Sequence, residues 1–322
     1  MKQYYPHIGL KRICGLFGKT RQAFYEHGWQ QADIQLENAI IVTMVKQLRN
    51  TMPGVGGVKL HKIIKQQLQG HSLLVGRDRF FNLLRQHDLL VKSRRRYVTT
   101  TDSHHHFHKW PDLTFAITVE APFLLWVSDI TYIRTDNGFL YLSLITDAFS
   151  RKIVGHHLGH RLKAQGPVIA LRKAISSLPK GQAGLVHHSD RGIQYCCDQY
   201  VALLQENGIK ISMTQSGSPY ENAMAERVNG ILKNEMGLGK TFTGYHQAVE
   251  ATARAIDAYN RIRPHMSCDY LTPNQAHLSK GPLKKKWTPK HKTKPILSCK
   301  VNPVASRSYC KAIAVSISGT VK

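Results

Sequence analysis

Two runs rich in β-branched and aromatic residues, LLWVSDITYI (124–133) and FLYLSLITDAF (139–149), are separated by Thr135, Asp136, Asn137 and Gly138. Asn-Gly between two such runs is a strong short-range hairpin signal, because it suits a tight turn whose central residues take positive φ. The two runs are therefore predicted to pair antiparallel, with KIVGHHL (152–158) as a third strand of the same meander. The pattern then alternates: a helix over 163–178, a strand over 184–190, a helix over 198–207 and a strand over 209–213. A helix within 216–235 and another over 244–262 follow. Three antiparallel strands succeeded by alternating helix and strand predict a mixed five-stranded α/β sheet with helices on both faces.

One residue does not belong in such a strand. Asp129 sits in the middle of the first run, among apolar and aromatic neighbours, where a carboxylate is costly unless it is paired or binds a cation. Asp190 ends the short strand before Arg191-Gly192, where a turn exposes it at the sheet edge. In SGSPYENAMAERVNGILKNE (216–235), successive helical residues turn about 100°. Asn222, Asn229, Gly230 and Lys233 then share the face of Glu226, while Met224, Val228, Ile231 and Leu232 form a buried stripe. Glu221 precedes the helix proper. Glu235 falls in the apolar stripe on the opposite side, so no part in a site is predicted for it, and its change to glutamine is expected to spare activity. Three carboxylates gathered from distant segments repel one another unless cations neutralise them, and hard oxygen donors favour Mg²⁺, with Mn²⁺ as the alternative.

The first 98 residues read as helical. The run 8–17 has helical spacing, Gly18 stops it, and Thr20 is a good N-cap for a second short helix, giving a helix-turn-helix-like segment over 1–32 or a plain helical hairpin. A helical DNA-binding domain is predicted over 34–98, with helices at 34–50, 59–68 and 77–86. The last of these, RDRFFNLLRQ, keeps Arg77, Arg79 and Arg85 free to face outward, and Arg94, Arg95 and Arg96 follow. Such a basic helix is a candidate for a DNA groove; the alternative is a solvated cationic face.

Charge supports the nucleic-acid reading. The chain of 322 residues carries 45 Lys and Arg against 20 Asp and Glu, a net +25. Residues 1–128 hold 18 basic and 8 acidic groups, and 241–322 hold 14 and 3, so a nearly balanced middle lies between two basic flanks. Charge of this size points to nucleic acid ahead of an anionic membrane. No apolar run is long enough to span a bilayer, and six cysteines without C-x-x-C pairing fit reduced thiols, so a soluble, cytosolic location is expected, which the family resemblance described below narrows to a bacterial cytoplasm, associated with the nucleoid. His104, His105, His106 and His108 lie in a polar linker (99–120), but no cysteine pair follows within reach, and no zinc is expected. From 280 to 322 there are 11 basic and no acidic residues. This predicts a basic, partly disordered tail over 281–322.

WVSDITYI, HHSDRGIQY and SPYENAMAERVNGILKNE together resemble the three blocks of the integrase (DDE) core of OrfB-type insertion-sequence transposases, relatives of retroviral integrases. Thirty-five residues separate Asp190 from Glu226, the gap typical of that group. Lys233, seven residues after Glu226, also matches, as do YNRIRPH (259–265) and Thr272-Pro273. The similarity reaches upstream over 39–95. Ser128, Glu221 and Arg227 depart from the common pattern without removing a ligand. The His-His-Cys-Cys zinc domain of the retroviral branch is lacking, which favours the bacterial branch.

That resemblance implies a ribonuclease H-like core over 121–280 and DNA transposition as the activity. Asp129, Asp190 and Glu226 would be the catalytic and metal-holding residues. Lys233 would contact DNA near the element end, with Asn222 and His188 as supporting candidates beside the carboxylates. The expected partners are the element's terminal inverted repeats, target DNA and further copies of the chain, a homodimer or higher, with an upstream-frame DNA-binding partner or fusion as an addition. Two rivals stay open: a DNA-binding regulator with an inactive core, and a simple metal-dependent nuclease.

Overall fold

The computed structural model describes residues 6–70, 73–91, 108–215, 222–279 and 281–284. It opens with α1 (Leu10–Leu16) and α2 (Arg21–Thr51). Gly18 closes α1 at φ +63°, and the Thr20 hydroxyl accepts from the Ala23 amide at 3.0 Å to start α2. The sequence led us to expect two short helices and then a separate one from residue 34. Instead α2 runs unbroken for 31 residues. No proline interrupts it, and a single internal glycine, Gly28, costs only about 1 kcal/mol relative to alanine. The expected boundary at residue 33 thus falls inside a helix.

α3 (Gly57–Leu68) and α4 (Arg77–Gln86) follow. Residues 52–55, between α2 and α3, dock on the far part of the molecule: the Gly54 amide donates to the Glu235 carbonyl at 3.0 Å. A Cβ at Gly54 would lie 1.9 Å from the Asn234 carbonyl oxygen, so only glycine fits there. Leu60, Ile64, Phe80 and Leu84 of α3 and α4 join one continuous apolar cluster with residues of the sheet described next. The apolar faces of α2, α3 and α4 thus pack on one another and run on into the core of the sheet region.

The sheet consists of β1 (Leu125–Thr135), β2 (Gly138–Asp147), β3 (Ile153–Gly159), β4 (Val186–Ser189) and β5 (Lys210–Met213), in the order β3-β2-β1-β4-β5. β1 and β2 form the expected hairpin, paired antiparallel from Trp126–Asp147 to Thr135–Gly138. β3 runs antiparallel to β2, whereas β4 is parallel to β1 and β5 parallel to β4. α5 (Gln165–Ile175) crosses to β4. A short α6 (Ile193–Cys196), absent from the sequence reading, leads into α7 (Asp198–Glu206). Val168 and Leu171 of α5 pack with Tyr200 and Leu204 of α7 and with Trp126 and Ile211 of the sheet. α8 (Ala223–Asn234) and α9 (Tyr245–Arg261) cover the other face, where Val228, Ile231, Ile256 and Tyr259 meet Ile133, Leu142 and Leu144. α10 (Pro273–His277), capped by Thr272, ends the ordered sequence of elements. This is the five-stranded mixed sheet flanked by helices that the sequence predicted.

Candidate active site

β1 is the central strand, and its pairing with β4 ends at Val127–His188. Two residues further along each strand stand Asp129 and Asp190. In a parallel pair, residues in register project to the same face, so two carboxylates come together beyond the carboxyl end of β4. Clefts at that end of a sheet are common ligand sites in α/β folds.

Each aspartate is held. The Ile130 amide donates to Asp129 Oδ1 at 2.8 Å, and Asn229 Nδ2 donates to Asp129 Oδ2 at 2.7 Å. The Gly192 amide donates to Asp190 Oδ1 at 3.1 Å. These donors do not neutralise the pair. Burial, the charge of Asp190 and, more weakly, that of Glu226 push the Asp129 carboxyl up to about 7 against the two hydrogen bonds. The site therefore carries more negative charge than its surroundings stabilise.

α8 contributes the rest from one face. Asn222, at its N-cap, donates Nδ2 to the Ser128 carbonyl at 2.9 Å, and Asn229 grips Asp129 two turns later. Glu226 lies between them in the first helical turn; partial burial raises its carboxyl, which makes no hydrogen bond to a described residue. Asn222 Oδ1 and Asn229 Oδ1 are buried with no partner among the described residues. Hard oxygens without donors, next to mutually repelling carboxylates, suit a divalent cation. Among the described residues, however, no three His, Cys, Asp or Glu side chains stand close enough to hold one ion. Asp129 and Asp190 form the close pair, and Glu226 is set back from it.

The role of Asn229 was missed in the sequence, although its place on the Glu226 face was the signal. His188, one of the supporting candidates, is fully buried beneath the site, with Nδ1 2.8 Å from Ser212 Oγ. Its neighbour His187 is pressed to about 3, first by burial and then by His188, and is therefore a neutral imidazole. Ser128 and Tyr200 both contact its Nε2, at 2.7 and 2.9 Å, which steadies β1 from behind. Lys233 is half-buried on α8: burial lowers its ammonium, and the charge of Asp129 acts in the opposite direction. It thus stands within electrostatic reach of the carboxylate pair.

Glu235 needs a correction. It is not an idle residue in an apolar stripe: Arg263 Nε and Nη2 donate to it at 2.8 and 2.9 Å, and Lys59 Nζ at 2.9 Å. The triad ties α3, the end of α8 and the segment after α9 together. Arg79 also departs from expectation. It does not face outward freely, because it donates to Asn38 at 2.7 Å and Glu37 at 2.8 Å on α2. Arg77 and Arg85 are exposed, with Arg77 lying over the Phe81 ring. Arg94, Arg95 and Arg96 lie outside the described residues, as do three of the four linker histidines and the tail beyond residue 284. A groove of about 340 Å³ beside α3 is lined by Lys62, Lys65, Gln66, Gln69, Tyr270 and Thr272 among others. No helix among the described residues is long and apolar enough to cross a membrane.

Over most of its length the chain is similar to known proteins. The integrase core domain family matches residues 119–219, and a second integrase core domain family matches 207–273. The insertion element IS600 uncharacterized 31 kDa protein of Shigella sonnei is 34% identical over 273 residues, 81% of this chain and 96% of that protein. The transposase for insertion sequence element IS629, also of Shigella sonnei, is 32% identical over 211 residues, covering 66% of this chain and 71% of the relative. Among solved structures, the HTLV-2 integrase catalytic core domain in complex with magnesium aligns at 20% identity and a TM-score of 0.39, covering 49% of this chain and 97% of that one.

Proposed function

Since the chain belongs to the insertion-sequence transposases that carry an integrase core, we propose that Asp129, Asp190 and Glu226 are its catalytic carboxylates and that it cleaves and rejoins DNA strands at the ends of its element. The observation that carries the reading is the pairing of Asp129 with Asp190 beyond the end of β4, with the Asp129 carboxyl raised to about 7 by burial and by its neighbour's charge. That pair, with Glu226, would hold divalent cations, Mg²⁺ or Mn²⁺. Bound there, the ions would polarise a phosphodiester and stabilise both the attacking and the leaving oxygen.

The protein's own groups supply positioning. Asn229 fixes the Asp129 carboxylate and Asn222 fixes the β1 backbone one residue earlier. Both belong to α8, so the helix that carries Glu226 is registered against the strand that carries Asp129. Lys233 would take a phosphate of the strand being processed. It projects to nearly the same side as Glu226, about 10 Å further along the axis, and that spacing suits one residue near the ions and one on the DNA. Water, and then a freed 3′-hydroxyl, would attack in line, with no covalent enzyme intermediate.

Affinity for DNA would come from the basic flanks, which supply the positive charge that the carboxylates lack. Exposed Arg77 and Arg85 and the lysines of the α3 groove are the described residues best placed to contribute. The test is a strand-transfer assay with labelled element ends. Asp129→Asn, Asp190→Asn and Glu226→Gln should each abolish cleavage and joining while DNA binding stays within about twofold of wild type. Cleavage without joining by the wild type would identify a nuclease; binding without cleavage would identify a regulator.

A further inference from the structure

The turn end of the β1–β2 hairpin carries three aromatic rings on one face. Tyr132 pairs across the strands with Tyr141, and Arg134 with Phe139. Tyr132 is 44% exposed and Phe139 53%, with Tyr141 half-buried beside them. The Tyr132 ring centroid lies 6.0 Å from that of Phe139 and 5.5 Å from that of Tyr141. The Arg134 guanidinium stands 5.9 Å from the Phe139 ring. A lone exposed ring is ordinary, but a contiguous set beside a cation marks an interaction surface. Strand residues alternate, so Tyr132 and Arg134 share the face of Trp126 and Ile130, the one that α5 and α7 cover. That cover stops short of the rings. A Cβ on Gly166 would stand 3.3 Å from Ser143 Oγ, so α5 begins over Ser143, and it then runs toward Gly155, opposite Ile145. Tyr141 lies two residues from Ser143 on the side away from the helix, and its partner on β3 is Gly159, which has no side chain to shield it.

Charge around the rings is one-sided. Arg161 and Lys163 are exposed in the loop that leaves Gly159 for α5. Lys240, also exposed, lies over the Phe242 ring, and the Phe242 amide donates to the Arg134 carbonyl at 3.0 Å. The segments 130–146, 155–171 and 236–243 frame this face and hold a single acidic residue, Asp136 in the hairpin turn. The carboxylate pair is close by. Tyr132 follows Asp129 by three residues, about 10 Å along β1 and on its other face. β4 stops pairing with β1 at Val127, and the next bridge on that edge joins Thr135 to Phe242. Between those points the two faces of β1 meet across an edge that no described strand closes.

We propose that this face is a stacking platform for unpaired nucleotides of the DNA strand held at the carboxylates. A duplex keeps its base faces inside its own stack, so only unpaired bases offer a π-face to a protein ring. Tyr132 and Phe139 take the bases, and Arg134, Arg161, Lys163 and Lys240 follow the backbone phosphates. The lysines set the face apart from a site for another protein, since lysine is depleted in the cores of protein interfaces. The identity of the strand rests on the cleavage reading above. The test does not, because it measures binding and crosslinking without any reaction at the carboxylates.

The experiment compares binding of a labelled oligothymidylate and of a duplex of unrelated sequence by the full chain and by Tyr132→Leu/Phe139→Leu. Leucine keeps apolar bulk on the exposed face and removes the rings. Affinity for oligothymidylate should fall about tenfold or more, while duplex binding stays within about twofold. Tyr132→Phe/Phe139→Tyr, which keeps both rings, should bind as the wild type does. Arg161→Ala/Lys163→Ala should instead flatten the salt dependence of oligothymidylate binding, by about 1.4 in logarithmic slope for two phosphates. Oligothymidylate carrying 5-iododeoxyuridine should photo-crosslink the wild type at Tyr132 or Phe139, a readout that does not require the leucine variant to fold. Undiminished oligothymidylate binding by a folded leucine variant, an equal loss of duplex binding, or crosslinks that avoid residues 132–141 would overturn the proposal. Each of these would leave the strand-transfer test of the carboxylates untouched.

Discussion

The two ends of α8 each carry a glutamate, and their surroundings could hardly differ more. Glu226, in the first turn, has no hydrogen-bond partner among the described residues, and burial alone raises its carboxyl. Glu235, at the C-cap, is 14% exposed and is held by Lys59 and by Arg263, itself 2% exposed. One carboxylate is left exposed, with no hydrogen-bond partner among the described residues. The other is fully committed to holding the helix in place. Burial favours the neutral form of Glu235, but Arg263 and Lys59 outweigh it and bring its carboxyl below the ordinary value. The proposed site and the architecture are thus divided along a single helix: Glu235 fixes where α8 lies, and that placement sets where Asn222 and Asn229 meet β1.

The largest expected effect falls on the architectural end. Removing one member of a buried ion cluster leaves uncompensated charge and costs about 3–5 kcal/mol. Glu235→Gln and Arg263→Met should both approach that loss in urea unfolding, whereas Glu226→Gln should change stability by less than about 0.5 kcal/mol. The pH dependence follows from the sign of the shift. A carboxyl held low in the folded state contributes stability that is present above its unfolded value and disappears as pH falls through the folded one. The gap between wild type and Glu235→Gln should therefore close on acidification. Equal stability of the two at neutral pH would dissolve the distinction between the ends of α8.

Asp129 should behave in the opposite way. Its carboxyl is raised from 3.8 to about 7, so between those values the folded protein keeps a proton that the unfolded chain has released. Without divalent ions, stability should fall as pH rises across that range and stay low above it. Asp129→Asn should remove this loss and stabilise the ion-free protein by about 1–2 kcal/mol at pH 8, after discounting for solvent screening. Asn229 can turn its unpartnered Oδ1 toward the new amide, so the substitution leaves no donor stranded. Thermal unfolding of both proteins in chelator from pH 4 to 8 checks the slope.

A smaller effect separates the arginines of α4. Arg79 is engaged with Glu37 and Asn38, at about one-third side-chain exposure, so Arg79→Ala should cost about 1 kcal/mol of stability. Arg77→Ala should leave stability unchanged and lower preference for element ends in competition binding against unrelated DNA. Loss of end preference from Arg79 alone, with full stability, would show that the pairing with α2 is dispensable.

Much of this arrangement was legible in the sequence because it is local. Asn137-Gly138 and the alternation around it mark the β1–β2 hairpin, and a lone Asp129 in an apolar strand points to the candidate site. Helical phasing separated Glu226 from Glu235 correctly. What the phasing could not give is what waits on the far side: Lys59 lies 176 residues before Glu235 and Arg263 lies 28 after it. Only tertiary packing brings those cations to it. The same limit hid Arg79, whose partners sit on another helix, and the length of α2, which runs on through the expected boundary at residue 33.

The central claim is that β1, the turn after β4 and α8 together build a cation site from Asp129, Asp190 and Glu226. Its most direct test is titration of the full chain with Mn²⁺, followed by electron paramagnetic resonance of the free ion. Wild type should bind, Asp129→Asn and Asp190→Asn should lose binding, and Glu226→Gln should bind about tenfold more weakly, since its carboxylate is set back from the pair. Lys233→Ala should bind as wild type does. Undiminished Mn²⁺ binding by Asp129→Asn, or no binding by a folded wild type, would contradict the site.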